Sequence, residues 1–68
     1  MQISLSSAAA LELIRNAEEY YSGKLGVGVS IRIRIQAMRR FAEFTRKKNP
    51  KATITLTLED HMLLTELP

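Results

Sequence analysis

Between residues 27 and 36 the chain alternates. Val27, Val29, Ile31, Ile33 and Ile35 are separated by Gly28, Ser30, Arg32 and Arg34, and Gln36 closes the run. A period of two, with every apolar position β-branched, predicts a strand with one wholly apolar face. Extended from residue 24 to 36 it would span about 43 Å, too long for a small domain. Gly26 and Gly28 are therefore expected to bend it, delay its start or mark a bulge.

The neighbouring segments have other periods. Ile3 and Leu5 alternate with Gln2, Ser4 and Ser6, which predicts a short first strand. Ser6 or Ser7 is placed to cap a following helix, because a serine hydroxyl accepts a bond from an otherwise unpaired first-turn N–H. Ala10, Leu13, Ile14, Ala17 and Tyr20 or Tyr21 then give the i, i+3, i+4, i+7 spacing of an amphipathic helix over about 8–21. Ser22-Gly23 is its expected stop. Over 37–48, Ala37, Met38, Phe41, Phe44 and Thr45 share one helical face, and Arg39, Arg40, Glu43, Arg46 and Lys47 share the other. Phe41 and Phe44 are expected in the core. The alternative makes 39–45 a strand paired with the next one. Asn49-Pro50 ends the segment. Thr53, Thr55 and Thr57 alternate with Ile54, Leu56 and Leu58, a further strand. Residues 59–67 read either as a short helix capped by Thr57 or as a last strand.

Sixty-eight residues allow one domain, 1–68, and 46% hydrophobic content suffices for a core. A domain of this size buries only about 60% of its unfolded surface, so association often helps. The expected fold class is α/β (α+β). It is a small two-layer sandwich in β-α-β-α-β order, with helices on one face of a three- to four-stranded sheet and a polar Arg/Ser/Thr face left open. The open face requires one antiparallel pairing or a partner chain to complete the sheet.

Charge is strongly segregated. Eight of the ten basic residues lie between 32 and 51: Arg32, Arg34, Arg39, Arg40, Arg46, Lys47, Lys48 and Lys51. Glu43 alone opposes them, giving that stretch +7, while the remainder carries −4 of the net +3. Such a field steers anionic partners without fixing a fold. In the expected sandwich, Arg32 and Arg34 leave the open sheet face, whereas Arg39, Arg40, Arg46 and Lys47 leave the opposite layer.

The leading functional expectation is a non-enzymatic module whose 32–51 segment docks on an anionic macromolecule, nucleic acid first, through salt-sensitive phosphate contacts. The alternative is a small protein-binding regulator or inhibitor, of the kind phages and mobile elements encode. A third is an oligomeric structural subunit whose basic middle meets the acidic ends of a neighbour. A continuous basic ridge would favour nucleic acid; exposed hydrophobes beside Arg32 and Arg34 would favour a protein. Aromatics for base stacking on a sheet are lacking.

Other chemistry finds little support. His61 stands alone and there is no Cys, so neither a zinc site nor a thiol nucleophile can be assembled. No serine or threonine has an evident base, and the glycines of 23–28 precede the expected strand instead of opening a helix as phosphate loops do. The expectation is no enzyme, no cofactor and no metal. The run Ile3-Ser4-Leu5-Ser6-Ser7-Ala8-Ala9-Ala10, with Leu25-Gly26-Val27 after the helix, resembles the opening of A-type iron–sulfur carrier proteins. That family holds its cluster with cysteines placed after this region, and with none here the resemblance implies no function. No signal peptide or spanning segment is evident, so a cytoplasmic location is expected.

Overall fold

The computed structural model describes every residue except Leu25, Val27 and Pro68. The elements are β1 (Gln2–Ser6), α1 (Ser7–Ser22), α2 (Val29–Lys48), β2 (Thr53–Thr57) and α3 (Leu58–Thr65). The protein is a mixed α/β structure with a two-stranded antiparallel sheet. The order is thus β-α-α-β-α. The expected β-α-β-α-β sandwich on three or four strands is corrected, because the alternating segment is helical from Val29 onward. Its expected start at Val27 lies outside the described residues.

The reason lies in what an alternation permits. Residues 31, 35, 38, 42 and 45 form an i, i+4, i+7, i+11, i+14 row, the seam of a helix packed on a helix. Ile35 and Ala42 in that row are buried, and Ile31 and Met38 pack against the same core. Facing them, α1 buries Ala10, Leu11, Ile14 and Ala17. Three of these six buried residues, Ala10, Ala17 and Ala42, are alanines, whose small side chains let the two helix backbones approach. Helix propensity disfavours isoleucine by only a few tenths of a kcal/mol relative to good formers. Burying one isoleucine is worth about 1.5–3 kcal/mol, so packing on α1 overrides the local preference.

Several local signals act as expected. The Ser6 hydroxyl caps α1 by accepting from the Ala9 N–H at 3.1 Å, and α1 closes at Gly23. Asn49 ends α2, its N–H donating to the Thr45 carbonyl at 2.9 Å. Residues 39–45 are helical, so the strand alternative there is excluded. Thr57 caps α3, accepting from the Asp60 N–H at 3.1 Å. Glu59 and Asp60 occupy its first turn, where carboxylates suit the helix dipole. Between α1 and α2, Gly26 has φ +83°, a conformation that L side chains rarely adopt.

The two strands pair in the register Gln2↔Thr57, Ile3↔Leu56, Ser4↔Thr55, Leu5↔Ile54 and Ser6↔Thr53. Ile54 and Leu56 are buried with Leu5 against them, and Leu64 of α3 closes the core. The opposite face carries Gln2, Ser4, Thr53, Thr55 and Thr57 and is exposed. Ser7 is fully buried, and its hydroxyl reaches the Pro50 carbonyl at 3.5 Å. That contact and the Ser7 N–H to Ala52 carbonyl bond (3.2 Å) tie the start of α1 to the turn before β2.

Candidate functional site

All seven basic residues from Arg32 to Lys48 lie on α2, and Lys51 follows in the turn before β2. The expected division of Arg32 and Arg34 from Arg39, Arg40, Arg46 and Lys47 by a sheet is therefore corrected: one helix carries them on several sides. Two of the seven are paired with carboxylates of the fold. Arg39 Nε meets the Glu18 carboxylate of α1 at 2.9 Å, and its Nη1 meets Glu43 at 3.1 Å. Arg34 Nη2 forms an ion pair with Asp60 Oδ1 at the start of α3. That carboxylate oxygen is shielded from water and has no aligned hydrogen-bond donor, so the Arg34 charge is its compensation among the described residues.

The other cations are freer. Arg32 donates to the Lys24 carbonyl at 3.0 Å. Lys48 Nζ lies 4.5 Å from the centre of the Phe44 ring, a cation–π distance. Arg40, Arg46, Lys47 and the Lys51 ammonium meet no carboxylate among the described residues. Arg15 of α1 joins Arg46 and Lys47 around a shallow hollow floored by Leu11, Phe44 and Pro50. Nothing in the spacing of Arg15 and Arg46 announces this; it follows from the antiparallel packing of α1 on α2.

A second apolar row accompanies these cations. Val29, Ile33, Ala37 and Phe41 follow at intervals of four, and Phe44 comes three later, so they line one side of α2 over about 22 Å. The side is solvent-exposed: Val29 is 71%, Ile33 60%, Phe41 60% and Phe44 57% accessible. The placement of Phe41 and Phe44 in the core is thus corrected; Met38, Ala42 and Thr45 take the inward positions, and Ala37 turns outward. Both rows are present in the one alternation, since Ile31 and Ile35 fall on the inward side and Val29 and Ile33 on the outward side. Reading it at period four would have found the outer row.

The polar remainder offers little chemistry. Among the described residues, no group of three or more His, Asp or Glu converges as a metal site would require. His61 is half-buried on α3. Tyr20 and Tyr21 stack edge to face with ring centres 5.0 Å apart, Tyr21 leaning on the core and Tyr20 under the Lys24 ammonium. No described helix is long and apolar enough to cross a membrane. Comparison with protein-family models, with characterised proteins and with solved structures returns no match.

Proposed function

We propose that this chain is a non-enzymatic protein-interaction module that docks the outer side of α2 on an acidic partner surface. One observation carries the reading: Val29, Ile33, Phe41 and Phe44 stand exposed in a single row, on the same helix as the uncommitted Arg40, Arg46 and Lys47. An apolar strip with Arg40 and Lys47 on its own side of the helix has the composition of an interface centre with a polar rim. The strip supplies the desolvation that drives association, and the rim selects for acidic neighbours. Nucleic acid fits this face less well, because phosphates would gain nothing from Ile33 and Phe41 and would leave them wet.

Replacing Ile33, Phe41 and Phe44 together by Ser tests the reading. The variant keeps every cation, so a protein partner is lost while phosphate binding persists. Capture of a partner by the immobilised chain after nuclease treatment should be strong for the wild type and absent for the triple variant. Equal capture by both, with folding verified, would refute the strip as the contact.

A second reading keeps nucleic acid as the partner and is favoured by the four cations Arg40, Arg46, Lys47 and Lys51, which no carboxylate neutralises among the described residues. Under it, nuclease removes the bound material and the triple serine variant binds as the wild type does.

A further inference from the structure

Among the described residues, the large apolar side chains that stand exposed are as many as those fully buried. Among the described residues the core buries six (Leu11, Ile14, Ile35, Ile54, Leu56 and Leu64), and seven stand exposed. The seven are not scattered. Four form the α2 row; the other three, Met1, Leu58 and Met62, gather at α3, where the Leu58 N–H donates to the Met1 carbonyl at 3.2 Å and Leu58 and Met62 are one turn apart. The second patch has the opposite charge. Glu59 and Glu66 flank it, both exposed and without an ion pair among the described residues. A groove lined by Arg34, Ala37, Phe41, Leu56 and Asp60 lies between α2, β2 and the start of α3, and Ala37 and Phe41 of the strip reach it.

Building on the protein-partner reading above, we propose that the occupant of the α2 strip is a second copy of this chain, seated through its α3 patch. Pairing α2 with α2 would oppose two basic rims, and pairing α3 with α3 two acidic ones. Only the crossed arrangement satisfies charge and burial together. A two-fold axis that lays each α3 on the other copy's α2 closes the assembly as a dimer. Ile33, Phe41 and Phe44 then cover Leu58 and Met62, while Arg40 and Lys47 meet Glu59 and Glu66. The contact inside each chain between Arg34 and Asp60 already joins the same two elements with the same chemistry.

Sedimentation equilibrium on the purified full chain tests this. The wild type should run at twice the 7.7 kDa chain mass. Arg40→Glu with Lys47→Glu, and separately Glu59→Lys with Glu66→Lys, should each weaken the dimer by about a hundredfold or more, since each sets like charges together at the interface. None of these four side chains has an ion pair among the described residues, so circular dichroism should show both variants folded. Mixed in equal amounts, the two variants should regain the dimer, because each then meets its complement at both contacts. A wild type that stays monomeric to about 100 µM, or a mixture that stays monomeric, would overturn the second copy as occupant. A photo-crosslinker at position 33 separates that failure from failure of the reading beneath it. A self-adduct supports the dimer, whereas an adduct with a different protein refutes the second copy and leaves α2 as a protein-docking face. An adduct with nucleic acid alone refutes both.

Discussion

The Asp60 carboxylate is 22% exposed and lies between the first turn of α3 and the Arg34 guanidinium, which is itself half exposed. Removing Arg34 strips a shielded acceptor of its charge partner, although the N-terminus of α3 still offers partial compensation. Arg34→Ala should cost about 1 kcal/mol, in the range of exposed pairs, and Arg34→Asp about 2 kcal/mol because two carboxylates then meet. Ile33→Asp, one residue earlier, places its charge in solvent and should stay within about 0.5 kcal/mol. In thermal melts at concentrations low enough to keep the chain monomeric, Arg34→Asp should fall by about 8–16 °C while Ile33→Asp hardly moves. A strand over 27–36 demands the opposite order, with Ile33 buried and Arg34 free. Adjacent residues thus separate the two folds, and equal melting points would contradict the helical placement of both. The cause of the ambiguity is equally local: Ile-Arg-Ile-Arg-Ile fits one face of a strand or two rows of a helix, and nothing within those five residues chooses.

At the scale of elements, boundaries were easier to read than the identity of the middle segment. Ser6, Gly23, Asn49 and Thr57 act through short-range bonds of their own, so their roles need no knowledge of the distant chain. Helix α2 does need it. Its inward row exists only because α1 presents Ala10, Ile14 and Ala17, and once the helix extends back to Val29 the inward side rotates to Met38 and Ala42, leaving Phe41 and Phe44 outside. The candidate site was legible to the same degree: composition picks out the cations of α2, but which ones the fold neutralises depends on Glu18 and Asp60, supplied by α1 and α3. The Thr57 cap provides the test at this scale. Thr57→Ala removes the acceptor for the Asp60 N–H and should destabilise by about 1 kcal/mol. Thr55→Ala, on the exposed strand face with only a 3.4 Å contact to the Ser4 hydroxyl, should change stability by less than about 0.5 kcal/mol. Urea titrations of the two variants compare them directly; a last β-strand in place of α3 would make them alike.

For the whole molecule, the separation of charge along the chain becomes a separation between elements: cations on several sides of α2 and carboxylates at α3, each beside unburied apolar side chains. Salt acts differently on the two partners such a surface could take. Rim pairs such as Arg40 with a partner carboxylate are exposed and lie in water-like dielectric, so raising salt from 0.05 to 0.5 M screens them and little else. The apolar centre is indifferent to screening. Dimer or protein-partner affinity should therefore drop by no more than about tenfold over that range. Phosphate binding through four cations, Arg40, Arg46, Lys47 and Lys51, releases condensed counterions and should lose about three orders of magnitude over the same range. Titrating the affinity across those two salt concentrations thus weighs the apolar row against the cations as the source of binding. A shallow slope assigns the energy to Ile33, Phe41 and Phe44; a steep one assigns it to the basic residues and turns the proposal back toward nucleic acid.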